Sequence, residues 1–414
     1  MAFNPDHLVT RHPVLDRHGE ITFCRLTMAA ADQNVVMPFM LRLTNIDVPQ
    51  MVYFIPLEWV GDTVLLVKLA REMVLSTETA ALEQDIAEQA RQRGFRLAAM
   101  LGESDMRQPD SDFILLPFPL RERPLQGKMK TKGRGKVKMD DTAVLELQLF
   151  DSRAPEPIAQ EPEASPGLPP NTILTGVETR ADFEQAKTGN AMYFSGDFFM
   201  DCPLEISTKA NIHPSHAVIL ELLAAVQKEA DPKAMETIAK KDITLSFKLL
   251  RYVNSPFFGL TSRVESVRHA VSILGYQQLF KWLSLLAVTA GSGASPALTH
   301  AAMTRAKLME LLGKHMDRKE QDNLFVTGML SLLDRIMRVP LEQVLKYVNL
   351  PDNVSDALLA GTGRYRRFLD LAMACEGMAL PEDENFADID VKAVNIAHLE
   401  AIEWATKLSK VGSH

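Results

Sequence analysis

Two hydrophobic patterns divide the chain near residue 200. In the first part, the stretch 171–200 predicts a strand, a turn, a helix and a second short strand. From Cys202 onward, apolar residues recur at helical spacing with few β-branched runs, so residues 203–414 are predicted to be all-helical. The pattern therefore predicts an α/β part followed by an all-α part.

Local turn and cap signals support this division. The stretch from Asp16 to Gly19 has the composition of a hairpin turn between two apolar runs. Asp231 and Pro232 predict a helix start, as N-cap and first helical residue. Pro256 disfavours the helical conformation at the residue before it, so it predicts that a helix ends there.

The predicted strand ends carry few groups suited to metal-dependent chemistry. In a (β/α) barrel the active site is built at the C-terminal ends of the strands, and divalent cations there need several oxygen ligands. The candidate ends instead carry Pro56, Met100, Leu101, Leu115, Pro117 and Thr175. One acid, Glu178, is retained nearby, but a single carboxylate is insufficient. We therefore predict no catalytic residue, metal or cofactor in this part.

Segments 11–23, 171–179 and 193–199 resemble the opening and closing strand units of the EAL domain, a barrel that hydrolyses the second messenger cyclic di-GMP. The resemblance implies positions for the family's active-site residues. In this sequence those positions are occupied by Cys24, Pro56, Ser76, Met100, Leu101, Leu115, Pro117 and Thr175. The resemblance thus implies a degenerate EAL domain.

Residues 242–259 and 264–275 resemble the signature of the HDOD domain, a helical relative of the HD phosphohydrolases. HD enzymes bind metals through an adjacent His-Asp pair, and Ser331-Leu332 takes the place of that pair here. The whole chain resembles bacterial EAL–HDOD signalling proteins of the YuxH type, in which a degenerate EAL domain precedes an HDOD domain. The resemblance implies that both metal-ligand sets are lost and that the protein is not an enzyme.

An unusual insert interrupts the first part. The predicted domains are a degenerate EAL-like barrel at 1–200, either closed or incomplete, and an HDOD helical domain at 201–414. Residues 121–170 are a basic and Pro/Glu-rich insert that we predict to be disordered. Its basic run, 128–138, is either a solvated loop or a contact for nucleic acid or an acidic partner. No aromatic residue interleaves this run, which disfavours specific binding of single-stranded nucleic acid.

Composition narrows the function classes further. A net charge of −8 argues against general DNA binding. Three widely spaced cysteines (Cys24, Cys202 and Cys375) indicate neither a zinc site nor a disulfide framework, and they fit a reducing compartment. Because we find no apolar signal region and no run long enough to span a membrane, we expect a cytoplasmic protein.

These observations favour a non-catalytic signalling scaffold or regulator. We expect it to act through protein–protein interaction with a signalling partner, in cyclic di-GMP-linked control of motility or biofilm formation. A possible contact surface, whose aromatic residues could equally belong to the core, comprises Asn254, Ser255, Phe257, Phe258 and Trp282. The alternative is a catalytically dead cyclic di-GMP sensor that uses Arg11 and Arg25. A residual phosphodiesterase and direct nucleic-acid binding through 128–138 are less favoured hypotheses.

Overall fold

The computed structural model describes residues 3–45, 51–60, 73–77, 89–100, 113–117, 172–189, 191–202, 214–254, 263–289, 295–346, 348, 350–382 and 386–412. The chain divides into two compact units. The barrel unit contains Arg11–Thr27 and Ala31–Asp201, and the helical unit contains Met1–Thr10, Met28–Ala30 and Cys202–His414. The predicted insert at 121–170 lies outside the described residues.

The barrel unit is built on a closed barrel of eight strands that follow one another in chain order. The strands are β1 (Thr10–Asp16), β2 (Ile21–Thr27), β3 (Val52–Pro56), β4 (Val74–Thr77), β5 (Arg96–Met100), β6 (Phe113–Pro117), β7 (Thr172–Thr175) and β8 (Tyr193–Ser195). Strands β2 to β8 run parallel, and β1 is antiparallel to β8. The interpretation of an incomplete barrel is wrong, because β8 pairs with both β7 and β1.

The hairpin between β1 and β2 confirms the predicted turn. The Asp16 carboxylate accepts hydrogen bonds from the backbone N–H groups of His18 at 2.8 Å and Glu20 at 3.0 Å. Gly19 adopts a φ of 84°, a backbone conformation that residues with a Cβ atom rarely adopt. The turn chemistry of four residues therefore fixes the start of the barrel.

Helix α1 (Gln33–Thr44) follows β2, and the Gly-Val-Glu-Thr string at 176–179 joins β7 to helix α2 (Arg180–Ala186). Val177 is fully buried, and its carbonyl oxygen accepts a hydrogen bond from the Phe198 backbone N–H at 3.2 Å. Thr179 is the N-cap of α2 and forms a capping box with Asp182. A Cβ on Gly196 would lie 2.0 Å from the Val177 carbonyl oxygen, so only glycine fits at this approach.

The helical unit confirms the helical periodicity read from the sequence. Its α-helices after Cys202 are α3 (Pro214–Gln227), α4 (Pro232–Ala239), α5 (Ile243–Val253), α6 (Val267–Thr289), α7 (Pro296–Leu312), α8 (Arg318–Leu330), α9 (Leu333–Met337), α10 (Leu341–Leu345), α11 (Asp352–Ser355), α12 (Arg366–Ala374) and α13 (Val391–Gly412). A π-helical turn, Asp356–Ala360, follows α11. Asp231 caps α4 through the Lys233 N–H at 2.7 Å, as predicted. Within the described chain, no helix has the length and apolarity needed to span a membrane.

Helices α7 and α8 pack tightly because one contact point is a glycine. A Cβ on Gly328 would lie 2.6 Å from the Cα and backbone nitrogen of Ala306. The buried residues around this contact include Met303, Ala306, Phe325 and Met329. The close approach brings charged side chains on neighbouring helices within bonding distance of one another, as described below.

The first residues of the chain are held by helix α13. The Asn395 side chain accepts a hydrogen bond from the Val9 N–H at 2.8 Å and donates one to the His7 carbonyl at 3.0 Å. His398 Nδ1 lies 3.1 Å from the Val9 carbonyl oxygen. One side-chain amide and one imidazole on α13 therefore form hydrogen bonds with backbone N–H and carbonyl groups that lie about 386 residues earlier in the sequence.

Candidate functional site

The interior of the barrel is filled by an apolar layer. Its members, one from each of β1 to β7, are Val14, Phe23, Phe54, Val74, Ala98, Leu115 and Ile173, with Tyr193 of β8 packed against them. The Phe23 ring contacts Phe54 and Tyr193 at centroid distances of 5.3 and 5.0 Å. Because side chains alternate along strands, this layer defines which neighbouring positions also face inward.

One step beyond this layer, the inward positions form what we call the mouth ring. The ring lies toward the C-terminal ends of the parallel strands, where barrel enzymes place their chemistry. Its positions are His12, Arg25, Pro56, Ser76, 100, 117, Thr175 and Ser195. Because β1 runs antiparallel to β8, its ring position is the inward residue on the N-terminal side of Val14, which is His12. The ring's described side chains supply hydroxyls and positive charge, and none of them is a carboxylate.

Several ring residues are committed to local hydrogen bonds. The Thr175 hydroxyl donates to the Leu116 carbonyl at 3.2 Å and is buried. Ser76 and Ser195 are also buried, at 7% and 3% exposure. Nε2 of His12 lies 2.9 Å from Oγ1 of Thr27. The ring is therefore a polar but enclosed layer.

Burial and nearby positive charge depress the pKa of His12. Burial is the largest cause, and the positive charges of Arg25 and Arg11 add to it, lowering the pKa from 6.5 to about 4. His12 is therefore neutral at pH 7, in surroundings that already carry positive charge. Such surroundings favour an anion over a divalent cation.

This shift predicts an acid-labile barrel. Above pH 6.5 His12 is neutral in both the folded and unfolded states; between pH 6.5 and 4 only the unfolded state gains the proton. The free energy of unfolding should therefore fall by about 3 kcal/mol over that interval. Hydrogen exchange of the 10–27 segment, measured by mass spectrometry, should show this loss of stability. His12→Gln should abolish the pH-dependent loss between pH 6.5 and 4. An unchanged pH profile in the variant would contradict the assignment to His12.

The structure separates the residues that the sequence grouped as degenerate barrel positions. Pro56, Ser76 and Thr175 lie in the mouth ring, as do the backbone positions of Met100 and Pro117. Leu115 instead belongs to the apolar layer. Cys24 is fully buried on the face of β2 opposite to Phe23, so Arg25 occupies the inward position. Leu101 lies outside the described residues, and Glu178 is exposed.

In the helical unit, Ser331 lies at the C-terminus of α8 and takes part in a buried ionic cluster. Its hydroxyl donates to the Gly328 carbonyl at 2.7 Å and accepts a bond from Arg305 Nη1 at 3.2 Å. Arg305 also donates to Glu376 from Nε at 2.9 Å and from Nη2 at 2.7 Å. The guanidinium fork is therefore shared between a carboxylate and the hydroxyl at this position. Leu332 is buried beside it.

Both members of the ion pair are almost fully enclosed. The side chains of Arg305 and Glu376 are 3% and 7% exposed. Sequence patterns did not reveal this pair; the usable signal was the presence of charged residues within the mostly apolar runs 296–312 and 369–376. Within the part of the chain that the structure describes, no three His, Cys, Asp or Glu side chains come together as a possible metal site.

A second buried ionic cluster joins helices α6, α7 and α8. Lys281 forms ion pairs with Glu310 and with Asp322, the latter at 3.1 Å. Gln278 donates to the other Asp322 oxygen at 2.7 Å, and Lys307 contacts Glu310 at 2.8 Å. The Lys281 ammonium also lies 4.4 Å from the Phe325 ring centroid. No pattern in the sequence indicated this cluster.

The predicted contact surface falls only partly within the described residues. Asn254 follows α5, and its amide donates to the carbonyls of Leu250 at 2.8 Å and Val264 at 2.7 Å. Trp282 is half-buried, with its ring centroid 6.2 Å from that of Phe325. Ser255, Phe257 and Phe258 lie outside the described residues. The structure therefore assigns Asn254 a bracing role between the end of α5 and the segment that leads into α6.

Comparison with known proteins identifies the class of the helical unit: residues 212–350 match the HDOD domain family. The chain is homologous to two bacterial proteins. It is 26% identical over 238 residues to the uncharacterized protein YuxH of Bacillus subtilis, covering 56% of this chain and 58% of that protein. It is 29% identical over 241 residues to the cyclic di-GMP phosphodiesterase CdgJ of Vibrio cholerae, covering 57% of this chain and 55% of that protein.

The matched regions thus span between half and two thirds of each curated relative. Among solved structures, an HDOD domain protein of unknown function from Geobacter sulfurreducens is 13% identical, with a TM-score of 0.31. That likeness covers 48% of this chain and 90% of the Geobacter chain. The chain thus contains an HDOD domain at residues 212–350, within the helical unit, together with an eight-stranded barrel unit.

Proposed function

We propose that this protein is a non-catalytic signalling regulator that acts through protein–protein contacts of its HDOD domain. In this proposal the barrel is a degenerate EAL domain, and the pathway is cyclic di-GMP-linked control of motility or biofilm formation. The homologue CdgJ, whose name is that of a cyclic di-GMP phosphodiesterase, supports the pathway. The barrel with one antiparallel strand supports the EAL assignment.

The observation that carries the proposal is the guanidinium fork of Arg305 at Ser331. By resemblance, Ser331-Leu332 stands where HD enzymes keep a metal-binding His-Asp pair. Here that position holds a fixed positive charge, bonded to Ser331 at 3.2 Å and clamped by Glu376. A cation at this point would oppose a divalent metal, and the space is already used by side chains that satisfy one another.

The mouth ring supports the same conclusion for the barrel. Two-metal hydrolysis needs convergent carboxylates and carbonyls that hold hard cations about 3.5–4 Å apart. The described side chains of the ring instead offer His12 and Arg25 with buried hydroxyls. We infer that the barrel lost its ligands while the apolar layer beneath them kept the fold intact.

The test measures signalling and turnover separately. In a strain that lacks the protein, restoring it should change swimming motility or biofilm mass, while cellular cyclic di-GMP, measured by mass spectrometry, stays unchanged. The purified full chain with Mg²⁺ or Mn²⁺ should release no linear dinucleotide. Linear product in that assay, or a fall in cellular cyclic di-GMP that depends on the barrel, would mean that the protein is a residual phosphodiesterase.

The mouth ring also favours a second candidate, a cyclic di-GMP sensor that binds without cleavage. Arg25 lies on the inward face beside His12, whose pKa it helps to lower, so positive charge is concentrated where an anionic dinucleotide would enter. The same purified chain, titrated calorimetrically with cyclic di-GMP, separates the two candidates. Heat of binding that disappears in Arg25→Ala, without product, would favour the sensor.

A further inference from the structure

An apolar ridge stands out on the surface of the HDOD domain. Ile243 and Phe247 on α5 are 82% and 65% exposed, although both are large hydrophobic residues. They are four residues apart, and Leu250 follows three residues later, so all three lie on one face of the helix. Leu250 is half-buried, and the exposed Ile243 and Phe247 beside it mark a surface suited to a helical partner.

The ridge is held outward by the opposite face of the same helix. Leu245, Leu249 and Val253 are at most 2% exposed, so α5 cannot rotate to bury the ridge without exposing its core residues. Asp242 fixes the helix start by accepting the Leu245 N–H at 2.9 Å. Asn254 braces its end through Leu250 and Val264. The packing of α5 therefore keeps the ridge on the outward face of the helix.

The charge around the ridge is basic, although the whole chain carries a net charge of −8. Residues 231–254 contain five Lys or Arg and three Asp or Glu. The three acids have local roles, since Asp231 and Asp242 cap helices and Glu236 pairs with Lys240 and Arg268, while Lys241 pairs with Glu221 of α3. Helix α5 itself contains Lys248 and Arg251 and no acid, which places positive charge beside the apolar ridge.

We propose that this ridge docks an amphipathic helix with an acidic flank, contributed by a different protein. The apolar stripe would pack on Ile243, Phe247 and Leu250, and the acids would face Lys248 and Arg251. A second copy of this chain is disfavoured because pairing α5 with itself about a two-fold axis would bring the same basic residues together. This inference rests on the proposed function, for which it names the contact surface and the kind of partner.

Photo-crosslinking in living cells tests the surface directly. A photo-reactive amino acid replaces Phe247 in the full chain, and the matched control carries it in place of Leu359, which is 44% exposed on the same unit. We expect an adduct with another protein from position 247, at least tenfold above the control. The crosslinked peptide should lie in an acidic amphipathic helix. Lys248→Glu should reduce the adduct several-fold through charge repulsion.

The remaining outcomes overturn the proposal. No adduct from position 247, an adduct with a second copy of this chain, an adduct with lipid or nucleic acid, or a contact segment without acidic residues would each do so. Phe247→Asp and Leu359→Asp, both at exposed positions, should retain the wild-type circular dichroism spectrum. If the Phe247→Asp variant still produces the motility change of the wild type while cyclic di-GMP stays constant, the ridge proposal is wrong and the proposed function stands. If restoring the wild type changes cyclic di-GMP, the proposed function itself is contradicted.

Discussion

Replacing Glu376 with alanine should lower the free energy of unfolding of the helical unit by about 3–5 kcal/mol. The side chain of Arg305 is only 3% exposed, and Glu376 supplies the carboxylate that its Nε and Nη2 groups bond. Without that carboxylate, the guanidinium stays buried and keeps its hydrogen bond to the Ser331 hydroxyl, but no anion neutralises its charge through the bonds that Glu376 made. Urea unfolding of Glu376→Ala and wild type, followed by far-ultraviolet circular dichroism, measures the difference.

The double variant Arg305→Met/Glu376→Leu provides the control. Because both charges are removed together and apolar side chains fill the space, it should recover most of the stability lost in the single variant. A double variant whose loss of stability equals the sum of the losses in Arg305→Met and Glu376→Leu would show that the residues do not act as a pair. Neither variant should gain hydrolysis of cyclic di-GMP, since breaking the pair supplies no metal ligands.

The strands and turns of the barrel could be predicted because their signals are local. The stretch 171–200 became β7, α2 and β8, and the Asp16 to Gly19 turn folded as a hairpin held by its own carboxylate. Periodicity likewise predicted the helices after Cys202, and Asp231 with Pro232 fixed the start of α4. In each case the interactions that decide the structure lie within a few residues of one another.

Closure of the barrel could not be predicted in the same way. It depends on β8, a strand of three residues, which pairs with β1 nearly 180 positions earlier in the sequence. The insert at 121–170 obscured this pairing, because a long segment without a helical pattern favours an incomplete barrel. Strand order and closure are set by non-local hydrogen bonds that short apolar runs do not encode individually.

The candidate site was predictable in its residue types and less so in its geometry. Proline, serine and threonine at the strand ends predicted a ring without carboxylates, but only strand register shows that Arg25, and not Cys24, faces inward. The pairing of Arg305 with Glu376 links positions 71 residues apart, which no helical pattern could reveal.

Replacing Lys281 with methionine should destabilise the helical unit by about 3–5 kcal/mol at pH 7. Lys281 bonds both Glu310 and Asp322, and all three side chains are at most 10% exposed. Methionine fills similar space without charge, so two buried carboxylates lose their shared cation. Equilibrium unfolding in urea measures the loss. The matched control, Lys307→Met, removes a cation from Glu310 at a more exposed position and should cost only about 1 kcal/mol.

The pH dependence of Lys281→Met should reveal the cause. In the wild type, burial alone would raise the pKa of Glu310, but Lys281 and Lys307 outweigh it and hold the pKa below 4.5. This contribution is present above pH 4.5 and is lost as the pH falls through the folded-state pKa. In the variant, burial raises the pKa of Glu310. Lowering the pH then protonates this carboxylate and removes the cost of burying its charge. The stability deficit should therefore shrink from pH 7 towards pH 4, whereas a constant deficit would indicate lost packing and contradict an electrostatic role.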